Sequence, residues 1–205
     1  EEMLDEWRSN WENGSFDKEV VDGYLDRVHD SFYLLGDKPF MQVSSLEYES
    51  RTKQYDAVSE LIADVPKEEK FLFSMRAKNA PKRIGLGEAA RWLLFCQAYD
   101  VAGIKTPVVG NSKVKSGKVY APKGIPSTGW LGSIGLVFIE GKTLFETLML
   151  NWVMFDDVAG RGPYFGIEGD LPSWERPSDI TDMAEFEPNG PASLLTVSDR
   201  RMRLV

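Results

Sequence analysis

The sequence predicts an irregular α+β domain, with short strands, buried helices and long loops in one folding unit spanning residues 1–205. Three observations predict it. Apolar residues recur at helical spacing only in separated stretches. Short apolar runs flanked by turn residues stand between those stretches. A long glycine- and lysine-rich stretch without periodicity divides the chain in the middle. A hydrophobic content of 42%, with 12% aromatic residues, is ample for a packed core.

From the N-terminus, residues 1–30 carry ten acids against Arg8, Lys18 and Arg27. Val20, Val21, Tyr24, Leu25, Val28 and Phe32 repeat at helical spacing, which predicts an amphipathic helix from about Asp17 to Tyr33 with the acids on its solvated face. Gly36-Asp37-Lys38-Pro39 predicts a turn, and Phe40 to Val43 a short strand. Tyr55 to Ala63 reads as a short helix and Lys70 to Ser74 as a short strand. A strong helix follows over Leu86–Tyr99, apolar nearly all round and therefore expected to be buried. Leu136 to Ile139 reads as a buried strand. Thr143 and Glu146 have capping-box spacing and open a helix to about Phe155, expected to pack on the Leu86–Tyr99 helix. Residues 156–190 are acidic and irregular, with Pro172-Ser173-Trp174-Glu175 as a turn plugged by its tryptophan. Leu194 to Val205 is strand-like and bears Arg200, Arg201 and Arg203.

Composition excludes several classes of chemistry. His29 is the only histidine and Cys96 the only cysteine, so an intramolecular disulfide and a two-histidine metal site are both excluded. Cys96 lies in an apolar helical run and reads as a buried small hydrophobe; His29 reads as structural or solvated. The sequence implies no cofactor and no metal. No apolar run reaches the length of a membrane span, and no signal peptide opens the chain. A reducing, cytoplasmic setting fits this cysteine usage. The chain does not begin with Met and starts in helix-like sequence, which suggests a piece of a longer protein.

The most informative stretch is Val101–Ile139. It contains no acidic residue, five lysines (Lys105, Lys113, Lys115, Lys118 and Lys123) and seven glycines, so it carries +5 within a chain of net charge -8. Mobile cations beside glycines that let backbone N–H groups approach closely suit an anionic partner. The same composition also suits a long solvated loop. Gly129, Gly132 and Gly135 are spaced by three, unlike the dinucleotide-binding pattern. They suit either a turn that slides against a groove or a tight backbone crossing that tolerates no Cβ. Gly135 to Thr143 mimics a phosphate-binding P-loop but has five residues between its glycines where the motif has four, and those residues favour strand. The carboxylates have no neighbouring feature that singles out a catalytic pair.

Four segments in this order resemble the large subunit (CasA family) of Cascade, the type I-E CRISPR surveillance complex. They are Lys38-Pro39-Phe40-Met41-Gln42; Leu86-x-Glu88-Ala89-Ala90-x-x-Leu93-Leu94-x-x-Gln97-Ala98; Ser127 to Gly135 with Glu140 to Asn151; and Pro172 to Glu175 with Gly190 to Leu195 and Arg200 to Leu204. The resemblance implies part of that family's N-terminal globular domain, with the first strands, the C-terminal helical bundle and a DNA-inserting glutamine wedge absent. It implies a non-enzymatic, cytoplasmic subunit of an antiviral complex. Its partners would be target double-stranded DNA, the CRISPR guide RNA, other Cascade subunits and the system's helicase–nuclease, with no membrane. The family reads the protospacer-adjacent motif with a glycine loop in the minor groove. Gly129, Trp130, Leu131, Gly132 and Ser133 match that loop, and Asn111 to Lys123 stands where a preceding loop contacts the complex. With the window's lysines, Lys105, Lys113, Lys115, Lys118 and Lys123, these are the candidate nucleic-acid-binding residues. Two rivals remain from the residues alone: an enzyme domain holding a phosphorylated small molecule on the glycine-rich loop, and a purely protein-binding scaffold.

Overall fold

The computed structural model describes residues 2–50, 55–65, 81–101, 103, 106–111, 114–115, 118–119, 129–133, 135–152, 169–177, 188, 190–198 and 200–205. In chain order its elements are α1 (Glu2–Asn13), α2 (Lys18–Val28), α3 (Leu86–Tyr99), β1 (Val114–Lys115), β2 (Lys118–Val119), α4 (Leu144–Leu150) and α5 (Pro191–Leu195). Single 3-10 turns stand at His29–Phe32, Val58–Glu60, Trp130–Ser133 and Ser173–Glu175.

The helix expected from about Asp17 to Tyr33 is present as α2 continued by the His29–Phe32 turn, and α1 stands before it in the helix-like opening sequence. Trp7 and Trp11, four residues apart in α1, stack with centroids 5.2 Å apart. Gly14, at φ +70, ends α1 by donating its N–H to the Asn10 carbonyl. Asp17 then caps α2, its carboxylate accepting from the Glu19 N–H at 2.8 Å. α1 docks on α4: Trp7 Nε1 donates to the Met149 carbonyl at 2.9 Å, and Phe16 meets Phe145 edge-on at 5.0 Å. α4 thus takes α1 as its principal partner where the sequence suggested α3. It also ends at Leu150, short of Phe155, and residues 153–168 lie outside the described part.

The range of α3 is as the periodicity predicts, but its burial is one-sided. Ala89, Leu93, Cys96 and Gln97 are buried, whereas Leu86, Leu94, Phe95 and Tyr99 are exposed. Periodicity shows which faces are apolar; it does not show whether a partner covers both. Cys96 is buried as expected, its thiol donating to the Leu61 carbonyl at 3.3 Å.

Two glutamines substitute for two expected strands. Phe40–Val43 and Leu194–Val205 do not form strands: the first is a turn with Met41 at φ 51, and the second begins as α5 and continues irregularly. Gln97 Nε2 donates to the carbonyls of Met41 (2.9 Å) and Arg200 (3.0 Å), and Gln97 Oε1 accepts from the Arg200 N–H at 2.7 Å. Gln42 Nε2 donates to the Leu34 carbonyl at 2.8 Å and Gln42 Oε1 accepts from the Leu204 N–H at 2.6 Å. One main-chain bond joins the two segments, from the Val43 N–H to the Met202 carbonyl at 3.1 Å; side-chain amides do the rest of the pairing a ladder would do, and both glutamines are buried. Leu136–Ile139, expected as a buried strand, forms no strand and is exposed. Asn151 holds it, accepting from the Ile139 N–H at 3.0 Å and donating to its carbonyl at 2.7 Å. The short helix expected over Tyr55–Ala63 is reduced to the Val58–Glu60 turn, and Lys70–Ser74 lies outside the described residues.

The Trp174 plug is present. Phe32, Phe40 and Trp174 pack at centroid distances of 5.2–6.0 Å, Trp174 Nε1 donates to the Tyr24 hydroxyl at 2.8 Å, and that hydroxyl donates to Glu175 Oε1 at 2.7 Å.

Candidate nucleic-acid interface

The acid-free window is tied down at both ends. At its start, Val109 donates to the Glu47 carbonyl (2.9 Å), Glu49 donates to the Pro107 carbonyl (3.3 Å), and Tyr48 and Val108 form an antiparallel bridge. At its far end, the Gly129 N–H donates to the Asp100 carbonyl at 2.7 Å, just past the end of α3. A Cβ on Gly129 would sit 2.4 Å from Ala98 C and Tyr99 N, a distance no side chain tolerates. Asp100 is itself fixed. Its carboxylate pairs with Arg200 Nε at 3.0 Å, and its carbonyl also accepts from Arg200 at 3.1 Å. The chain Gln97–Arg200–Asp100–Gly129 therefore bolts the turn to the core.

From that bolt the chain makes one 3-10 turn, closed by the Gly132 N–H on the Gly129 carbonyl at 2.9 Å. Trp130 and Leu131 are half-buried and Gly132 is exposed. The glycine pattern thus divides. Gly129 is the close backbone crossing, Gly132 is the residue presented outward, and nothing lies within 4 Å of a Cβ on Gly135. Gly129 could not be assigned to the crossing from sequence, because the spacing is the same for both roles.

Between the two anchors lies a hairpin that the composition concealed. β1 and β2 pair antiparallel with Val114 opposite Val119 and Lys115 opposite Lys118. Like charges at directly opposed positions disfavour a hairpin. Lys105, Lys113 and Lys123 lie outside the described residues.

The geometry also disposes of the P-loop mimic. The N–H groups a phosphate would need are taken: Gly141 N–H by Thr147 Oγ1 at 3.0 Å, and Lys142 N–H by Glu146 Oε2 at 2.6 Å. The cap of α4 is already occupied by the Thr143 hydroxyl, whose Oγ1 accepts from the Glu146 N–H at 3.1 Å. Glu146 reaches Lys142 rather than Thr143, one residue off the usual capping box. Among the described residues no cluster of three or more His, Cys, Asp or Glu could hold a metal ion. His29 is an exposed residue at the end of α2, with Nδ1 3.3 Å from Asp30 Oδ1. No helix among the described residues is long and apolar enough to cross a membrane.

The model of the family described as CRISPR-associated protein Cse1 matches residues 1–205, the whole chain. The chain belongs to the Cse1 family. The CRISPR-associated protein CasA/Cse1 of Thermus thermophilus is 30% identical over 179 residues, covering 86% of this chain and 30% of that protein. The crystal structure of Thermobifida fusca Cse1 superposes with a TM-score of 0.80 at 34% identity, covering 98% of this chain and 37% of that one. Cse1 from Acidimicrobium ferrooxidans gives 0.74 at 33% identity, with 98% and 35% covered. The chain therefore spans about a third of the length of these Cse1 relatives.

Proposed function

We propose that this chain is the part of a Cascade large subunit that reads the protospacer-adjacent motif in duplex DNA, with Gly129 to Ser133 as the reading turn. The observation that supports this most directly is the pairing of a rigid base with a bare tip. Gly129 is locked against α3, while exposed Gly132 carries no side chain to hold the turn off a groove floor. Minor-groove readout is degenerate, and small residues and backbone groups suit it. A subunit that licenses binding while a guide RNA reads sequence needs few specific contacts. The Lys115–Lys118 register, two lysines at opposed positions of one short hairpin, adds charge suited to a phosphate backbone. In this reading the subunit is non-enzymatic and cytoplasmic. It works with the guide RNA and the other Cascade subunits, and the whole protein recruits the helicase–nuclease.

The test is binding of matched and motif-mutated duplexes by the assembled complex carrying Gly132→Leu, at two salt concentrations. Discrimination between the two duplexes is expected to fall along with affinity. Full discrimination by a folded Gly132→Leu complex would make the turn purely structural. Occupied N–H groups at Gly141 and Lys142 weigh against the rival phosphorylated-ligand enzyme.

A further inference from the structure

A second cationic surface has no described residue of the glycine window in its lining. Between the end of α2, the turn at residues 38–43 and the Ser173–Pro177 segment is a cleft of about 530 Å3. Arg27, Lys38, Arg176, Arg200 and Arg201 line it, and Glu175 is the one acid among its described lining residues. In a chain of net charge -8, five cations to one lining acid is a local reversal, with Asp100 and Asp170 standing behind Arg200 and Arg176. Glu175 is already engaged, by the Tyr24 hydroxyl at 2.7 Å and by Arg27 at 3.9 Å. Arg200 is engaged behind the cleft by Asp100. Arg27 and Lys38 are exposed at the mouth.

The wall has a second chemistry. Phe40 and Trp174 line the cleft with rings 6.0 Å apart, backed by Phe32. The cluster is rigid, because Trp174 is hydrogen-bonded through Tyr24 to Glu175. Cations tracking a phosphate, with an aromatic platform for a base, are the two components of a single-strand nucleic-acid site. The volume lies within the roughly 300–1,000 Å3 of a small-ligand site, enough for about one or two nucleotides and too small for a duplex. An acidic peptide would use the cations but leave the aromatic wall without a matching partner.

We propose that this cleft binds a nucleotide unit of single-stranded nucleic acid, its phosphate held at the mouth by Arg27 and Lys38 and its base stacked against Phe40 and Trp174. The cleft shares Arg200 with the bolt behind the glycine turn, but the groups that would hold the nucleotide are not those of the turn, and the proposal does not depend on the duplex-reading role assigned there.

The test uses the intact protein and a fluorescein-labelled oligo(dT) of about ten nucleotides, a length suited to one such site. The double variant Arg27→Glu/Lys38→Glu, at two exposed positions, is expected to lower affinity at least tenfold at low salt. It should also flatten the log K against log salt plot by about 0.7 per lost phosphate contact. Because Phe40 and Trp174 belong to a packed cluster, the stacking half is read without mutation, by photocross-linking a 5-iodouracil oligonucleotide to the wild-type protein. Adducts on Phe40 or Trp174 are expected. A nucleoside monophosphate should compete better than inorganic phosphate, and a lone nucleotide that binds as tightly as the oligomer would overturn the single-strand assignment in favour of a free nucleotide. Unchanged oligomer affinity in the double variant, cross-links only elsewhere, or displacement by poly-glutamate as effective as by nucleotide would each overturn the assignment. Lys18→Glu, an exposed charge reversal on α2 outside the cleft, is the control: it should leave oligomer binding within about twofold of wild type.

Discussion

Gly129 and Gly132 are three residues apart, chemically identical and structurally opposite. A Cβ at 129 meets the backbone of Ala98 and Tyr99 at 2.4 Å, and backbone cannot step aside as a flexible side chain can. Gly129→Ala should therefore destabilise the fold by about 1–3 kcal/mol, the usual cost of forcing extra volume into a packed site. Gly132→Leu should leave the thermal midpoint nearly unchanged. A thermal melt of the two variants checks this directly, and equal midpoints would mean that Gly129 is not the crossing. Asp170 supplies the pH-dependent residue. Burial pushes its carboxyl up, but hydrogen bonds from Ser193 and the Ala192 N–H, aided by Arg176, outweigh this and hold it below the ordinary carboxylate range. Because the folded value is the lower one, its stabilising contribution is complete above the unfolded value of about 4 and is lost as pH falls through the folded value. The stability gap between wild type and Asp170→Asn should be widest near neutrality and close below about pH 4, measured by urea midpoints across that range.

At the scale of elements, α3 and α4 illustrate different kinds of stabilisation. Leu93 is fully buried at the centre of α3, and Leu93→Ala should cost about 2–5 kcal/mol through the cavity it leaves. A loss below about 0.5 kcal/mol in chemical denaturation would show that the buried face of α3 is not core. α4 has only seven residues, too few to be stable alone, so its ends carry unusual weight. Thr143→Ala removes the cap on the Glu146 N–H and should cost about 0.5–2 kcal/mol. Asn151, just past the other end, ties both main-chain groups of Ile139 to the helix region. Asn151→Ala should raise amide exchange at Ile139 while leaving that of α3 unchanged, a comparison readable in one hydrogen-exchange experiment.

At the scale of the whole molecule, charge is segregated. The chain is acidic overall, yet its central window is +5 and its aromatic cleft is ringed by arginine and lysine. Such a distribution favours polyanion contact at chosen places and repels it elsewhere. Duplex binding by the assembled complex should therefore weaken with salt. Neutralising Lys115 and Lys118 together should lower affinity about equally for matched and mismatched motifs and flatten the salt slope by up to about one unit per lost contact. A selective loss on matched DNA alone would contradict a purely electrostatic role for the hairpin.

The sequence alone determined what local chemistry dictates. The bounds of α3 followed from apolar spacing, the start of α4 from Thr143 and Glu146, the burial of Cys96 from its apolar run, and the Trp174 plug from its turn. Family membership was legible too, because the order and spacing of four motifs survive without any knowledge of packing. The tertiary structure decided everything that depends on who stands opposite. Phe40–Val43 and the C-terminal segment have strand-like composition, but beyond the one Val43–Met202 main-chain bond they are joined by the side chains of Gln42 and Gln97, which no alternation pattern encodes. Leu136–Ile139 is apolar enough for a core and still lies exposed, because burial belongs to the pair of surfaces and not to the segment. The five cations of the cleft come from positions 27 to 201, and only folding sets their charges around one space.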